Sequence, residues 1–236
     1  MLAAAASGDV ALIRALHSSF VSTPHGGADD WGAVLRGADR GNGDATALNP
    51  LHAAAAHGQC GAIRVLHELG ADVNAPSATG ITALQYAAHT GHCDTIRVLH
   101  ELGADVNAPT ATGITALQYA AQAGHCDAIR VLHELGADVS IPDARGATAL
   151  YSAAQAGHCD AIRVLHELGA DVSIPDARGA TALYSAAQAG HCDAIRVLHE
   201  LGADVSIPDA RGATALYSAA QAGHCDAIRV LHELGA

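Results

Sequence analysis

The chain has 236 residues, a formal charge of −12, a hydrophobic fraction of 50% and only 3% aromatic side chains. One Trp, one Phe and one Met cannot fill a deep core, so an apolar content resting on Ala, Leu, Ile and Val implies thin, closely packed layers. The acidic balance excludes nucleic acid as a leading partner. No stretch approaches the ~18–20 apolar residues of a membrane span, and Met1–Ala6 lacks the basic flank of a signal peptide.

Repetition organises the rest. The six cysteines stand at 60, 93, 126, 159, 192 and 225, each 33 residues from the last. In chain order, residues 1–18 hold the back half of a unit, with Gly8 in the place of Gly58. Residues 19–43 form a Gly-rich insertion carrying Phe20 and Trp31, a segment of the kind that is either functional or a disordered loop extension. Full units then occupy 44–76, 77–109, 110–142, 143–175 and 176–208, and 209–236 copies the same unit to the last residue. Units 143–175 and 176–208 are identical.

The unit at 143–175 reads as two short helices and an arm. Thr148 is an N-cap for Ala149–Ala156, as Asn49 is ahead of Pro50, and Gly157 stops that helix. Asp160 suits the start of a second helix, whose buried side carries Ile162, Leu165 and Leu168. Arg163 and Glu167 are spaced as an i,i+4 pair on its opposite side, and Gly169 ends it. The stretch leading to the next Thr is turn-rich and reads as a hairpin-like arm. Neither helix is long enough to persist alone, so stacked copies must cover one another. The predicted fold is an all-α repeat solenoid of stacked helix-turn-helix units, about seven, the first incomplete.

The pattern Thr148-Ala149-Leu150, Ala153-Ala154, Gly157-His158, with Leu102-Gly103-Ala104-Asp105-Val106-Asn107 at the same period, resembles the ankyrin repeat. The resemblance implies paired antiparallel helices, protruding hairpins and a concave face that binds other proteins, with no reaction. The chain departs from the family pattern where Thr-Pro-Leu-His becomes Thr82-Ala83-Leu84-Gln85 or Thr148-Ala149-Leu150-Tyr151. It departs again where Ser152, Ser185 and Ser218 take a position often held by Leu, a change expected to loosen the stack.

Sixteen histidines and six cysteines raise a metal hypothesis. Equivalent positions on stacked helices lie ~8–10 Å apart, too far for a disulfide or for zinc ligands at ~2.0–2.3 Å. The expectation is reduced, partly buried Cys with hydrogen-bonding His, no metal and no cofactor. Protonating every His would carry the formal charge from −12 to +4, so the ladder running from His17 and His67 to His232 predicts acid sensitivity. No phosphate loop, HExxH or nucleophile elbow is present, so no enzyme is expected.

The resemblance directs attention to the hairpin tips and the exposed side of the first helices. These carry Arg145, Arg178 and Arg211 at the tips, with Tyr151, Tyr184 and Tyr217 and Gln155, Gln188 and Gln221 along the helices. Tyr and Gln at i,i+4 share a helical face, and Tyr and Arg are favoured at interface centres. The alternative is that each Tyr only fills the space of the family's His. Asn74 and Asn107 resemble the family's asparaginyl-hydroxylase acceptors, or stabilise a turn. The last unit keeps Ile228 and Leu231 without polar replacement, which predicts self-association, a longer native chain or a fraying end. The functional expectation is a protein-binding scaffold of the cytoplasm or nucleus. A fragment of a larger protein and a purely structural array are the other readings.

Overall fold

A computed structural model describes residues 1–21 and 49–236; the side chains of Phe20 and Val21 are not described. The insertion expected at 19–43 therefore lies almost entirely outside the described residues.

Among the described residues the chain forms 14 helices, paired along its length. The first helices of the pairs are Leu2–Ser7, Pro50–Ala56, Ala83–His89, Ala116–Gln122, Ala149–Ala156, Ala182–Gln188 and Ala215–Ala222. The second helices are Val10–Val21, Cys60–Glu68, Cys93–Glu101, Cys126–Glu134, Cys159–Glu167, Cys192–Glu200 and Cys225–Glu233. First helices stack on first helices and second on second, so each unit covers its neighbours. Leu2–Ser7 packs directly on Pro50–Ala56, and Val10–Val21 on Cys60–Glu68, so the stack continues across the insertion.

Local chemistry fixes each helix end. Thr82, Thr115, Thr148, Thr181 and Thr214 cap the first helices through their hydroxyls, and Asn49 does the same for Pro50–Ala56. At Thr82 and Thr115 a reciprocal bond from Gln85 or Gln118 completes a capping box. The core between the helix layers is one continuous band of Ala, Leu, Ile and Val, with Ala153, Ala154, Ile162 and Leu165 fully covered. Small alanines on the first helices let neighbouring backbones approach, which explains how a chain so poor in aromatics closes its core.

The Gly-His dipeptide joins one unit to the next. Gly157 has φ 76°, and the ring of His191 from the following unit lies against it. His191 Nε2 then bonds the Gln155 carbonyl at 3.1 Å, and the same bond recurs from His92, His125, His158 and His224. Because a carbonyl only accepts, each Nε2 carries the proton. These rings thus satisfy carbonyls left open at the ends of the first helices.

The salt bridges differ from the expected pattern. Arg163 Nη2 reaches Glu200 Oε2 of the next unit at 2.8 Å, and Glu167 receives Arg130 of the previous unit at 3.1 Å. Six such bridges run along the second helices, from Arg14–Glu68 to Arg196–Glu233. Each is half exposed and contributes only ~0.2–1 kcal/mol, so the ladder sets register more than stability. Arg229 pairs within its own helix, with Asp226 at 3.0 Å.

Ser185 and Ser218 are 1% exposed, and their hydroxyls have no hydrogen-bond partner. A buried hydroxyl left unpaired costs ~1–3 kcal/mol, and Ala is also the better helix former. Ser185→Ala should therefore stabilise the chain by about 1–2 kcal/mol, read as a higher melting temperature. An unchanged or lower value would show that the hydroxyl is satisfied in solution.

Candidate protein-binding surface

The surface shared by the first helices and the tips divides into two chemistries. In the units with Gln85 and Gln118, the glutamine amide reaches forward to the arm. Gln85 Nε2 donates to the Ala108 carbonyl at 2.8 Å, and Gln118 Nε2 to the Ala147 carbonyl at 2.7 Å. The two asparagines add a clasp. Asn74 Nδ2 donates to the Gly103 carbonyl at 2.9 Å while its Oδ1 accepts from Asp105 N–H at 2.9 Å. Asn107 repeats this with the Gly136 carbonyl and Asp138 N–H at 3.0 Å. Both asparagines thus hold neighbouring units together through both ends of the amide.

Where Ser replaces Asn, the clasp is lost and the bonds turn inward. Ser140, Ser173 and Ser206 donate to Asp138, Asp171 and Asp204 of their own turns. These serine bonds hold the three carboxyls below their ordinary range.

In the units from residue 143 onward the tips carry the linkage. Asp143 Oδ1 accepts from the N–H groups of Arg145 and Ala147, while Oδ2 accepts from Arg145 Nε and Nη2 at 3.1 and 3.0 Å. Asp176 and Arg178 repeat the geometry, and Ala177 N–H bonds the Arg145 carbonyl at 2.7 Å. The bond to Asp176 raises the Arg178 pKa further above its ordinary value. The tips form a second line of inter-unit bonding.

The tyrosine ladder needs correction. Tyr151 is 3% exposed and Tyr184 7%, each filling the gap to the next unit, with its hydroxyl 3.5 Å from Asp176 or Asp209 Oδ2. They occupy the place of His52, Gln85 and Gln118, so they are packing groups and offer no surface. Tyr217 alone of the three is open, at 57% exposure. Gln155, Gln188 and Gln221 are exposed as expected, as are Arg145, Arg178 and Arg211. The glutamine side chains project from a rigid base, since the carbonyls of Gln155 and Gln188 are held by the next unit's His.

Two residues escaped the sequence reading. Tyr86 and Tyr119 are half-buried, with His89 exposed beside them, and His89 and Tyr119 meet edge to face at 6.0 Å. They stand one position later in the unit than Tyr151, about 100° further around the helix. That offset turns the ring toward the preceding unit, where Tyr86 likewise meets His52 at 5.5 Å.

The cysteines stand half-buried along the second helices, apart from exposed Cys225. Burial first, and then the carboxylates of Asp94 and Asp127, push the Cys93 thiol up, and Cys126 and Cys159 are raised in the same direction. Such thiols are poor nucleophiles. Among the described residues no group of three or more His, Cys, Asp or Glu converges on a metal-sized site. Nor is any helix there long and apolar enough to cross a membrane.

The fold defines a class: a stacked array of short helix pairs, its side-chain ladders spent on holding the stack. A family profile described as "Ankyrin repeats (3 copies)" matches residues 1–110, 102–176 and 165–236. The chain belongs to the ankyrin-repeat family, whose repeats are generally non-catalytic protein-interaction modules. No curated protein matches it.

Proposed function

We propose that the chain is a non-catalytic scaffold that binds partner proteins through its tips and its concave helix face. The observation that supports this most is the exposed row Gln155, Gln188 and Gln221, the first two on helix ends whose carbonyls are held by the next unit's His. Half-buried Tyr86 and Tyr119 extend the same face toward the N-terminal units. Equal rungs suit an extended partner segment, because each rung presents the same amide at the same height. Six free cysteines favour the cytoplasm or nucleus as its compartment. Asn74 and Asn107 stand as modification candidates, and hydroxylation there would act on amides already bonded across the repeat junction.

The test is affinity capture from the source cell's lysate with the intact chain and a Gln155→Ala, Gln188→Ala, Gln221→Ala variant. Circular dichroism verifies that both are folded. A protein held by the first and lost from the second is the expected result. If both folded chains hold nothing, or the same proteins equally, the site assignment fails, and a structural array or a piece of a larger protein becomes the better reading.

A second reading rests on Tyr217, with half-buried Leu216 and Ile228 beside it, as a surface for self-association. Sedimentation over a wide concentration range is expected to show a growing dimer fraction. A single monomeric species throughout removes that reading.

A further inference from the structure

We propose that the units between residues 77 and 208 receive an extended proline-rich segment of a partner, its prolines on Tyr86 and Tyr119 and its acidic residues on Arg145 and Arg178. This rests on the concave-face reading above and names the partner's chemistry.

Each of these units is covered by another on both sides. They present the same two positions in two chemistries. The tip position holds Thr79, Thr112, Arg145 and Arg178, and the helix position holds Tyr86, Tyr119, Ser152 and Ser185. Residues 77–93 and 110–126 contain no Asp, Glu or Arg, so the first two units offer an uncharged corner between tip and helix. The Tyr86 hydroxyl stands 3.5 Å from Thr79 Oγ1, so its ring bridges the two. Tyr86 meets the His52 ring at 5.5 Å and Tyr119 the His89 ring at 6.0 Å, so each is propped by the preceding unit and stays half-buried. Ile81 and Ile114, two residues past the tip threonines, are half-buried as well.

From residue 143 the tips are cationic. The carboxylates of Asp143 and Asp176 are buried, while the side chains of Arg145 and Arg178 are 66% and 61% exposed. Each aspartate takes Nε and Nη2 of its guanidinium. The Nη1 end is left for a carboxylate of the partner.

The period selects the conformation of the guest. Equivalent positions in the stack recur every ~8–10 Å. A polyproline II helix returns to one side every third residue, or ~9.3 Å, whereas a strand returns every ~6.6 Å and falls out of step. Residues i and i+3 of the segment therefore face the two tyrosines, and i+6 and i+9 the two arginines. A proline ring lays apolar surface on each tyrosine, and the segment's carbonyls, unbonded within it, accept from the tyrosine hydroxyls. Burial first, and then the Tyr86 phenol, pushes the Tyr119 hydroxyl up, which keeps it a donor. The charge order matches too, with neutral residues over the neutral corner and carboxylates over guanidiniums. At physiological salt, charges beyond ~8 Å are screened, so the formal charge of −12 spread over the whole chain opposes this little.

The probe is a fluorescein-labelled peptide, Pro-Ser-Ser-Pro-Ser-Ser-Glu-Ser-Ser-Glu, made in both chain directions and titrated by anisotropy against the full-length chain at physiological salt. One direction is expected to bind. Alanine in place of both prolines, or lysine in place of both glutamates, should weaken it several-fold. Tyr86→Ser with Tyr119→Ser installs the residue that Ser152 already supplies at this position, and should weaken binding about tenfold with the helical circular dichroism retained. The peptide series tests the same contacts with no change to the fold.

Equal binding of the proline and alanine peptides, or binding unaffected by the two serines, overturns the proposal. A lysine peptide held as tightly as the glutamate peptide overturns it too, since the arginines then do not face the segment. If neither direction binds while lysate partners are captured through Gln155, Gln188 and Gln221, this inference alone falls and the scaffold reading stands.

Discussion

Gly157→Ala is expected to destabilise the array by about 2–4 kcal/mol, whereas Gly169→Ala costs only about 1–2 kcal/mol. Both glycines adopt the left-handed backbone, with φ 76° and 97°. Any L-residue there meets the same penalty from Cβ against backbone. The difference lies across the repeat junction. A Cβ on Gly157 would stand 2.7 Å from His191 Nδ1, whereas one on Gly169 meets nothing within 4 Å. The alanine must push the ring away, which breaks the His191 bond to the Gln155 carbonyl and leaves that helix end unsatisfied. Urea denaturation of the two variants measures the gap. Equal midpoints would show that the His ring moves aside without cost.

Acid is expected to weaken the fold through one histidine above all. His52 is fully buried, and its Nε2 donates to the Ala75 carbonyl at 3.1 Å. That leaves Nδ1 as a bare buried acceptor with no hydrogen-bond partner. Desolvation lowers its pKa from 6.5 to about 4. The folded state therefore binds fewer protons than the unfolded state between these values. Stability from this group is complete above pH 6.5 and declines as pH falls toward 4, by roughly 3 kcal/mol in all.

His52→Gln is expected to flatten that slope. Gln85 and Gln118 already fill the equivalent position in the next two units, and Gln85 bonds the matching carbonyl, Ala108. The histidine ladders have a different geometry. The rings that follow the glycines each donate Nε2–H to a carbonyl of the preceding unit, and none of them is fully buried as His52 is. Melting temperatures at pH 7.5 and 5.5 separate the two sources. If the variant loses as much stability in acid as the parent, the ladders carry the effect and His52 does not.

The repeat, the two helices of each unit and their glycine stops were legible because local signals recur at a fixed period. Thr148, Gly157 and Gly169 each act within a few residues of themselves. What escaped was the choice of neighbour. Glu167 and Glu200 are the same residue displaced by one period, so a reading of Arg163 within its own unit cannot distinguish i+4 from i+37. Tyr151 failed for a related reason. Its position in the helix showed which face it lies on, but not that the following unit covers that face. Tyr86 and Tyr119, one position later, meet His52 and His89 of the preceding unit and stay half-buried. In a stack, burial belongs to the junction between units, and a single unit's periodicity does not contain it.

Each kind of inter-unit bond described above keeps one direction along the chain. Arginine reaches forward to glutamate, asparagine forward to the next glycine carbonyl, and histidine back to the helix it follows. Such a stack has a direction, as a zipper tape has, and no step in it refers to the total number of teeth. Copying a 33-residue unit between two identical neighbours adds one complete set of these bonds and disturbs none. Length is then a quantity that duplication can change without redesign, each copy lengthening the surface by one rung and leaving both ends as they were.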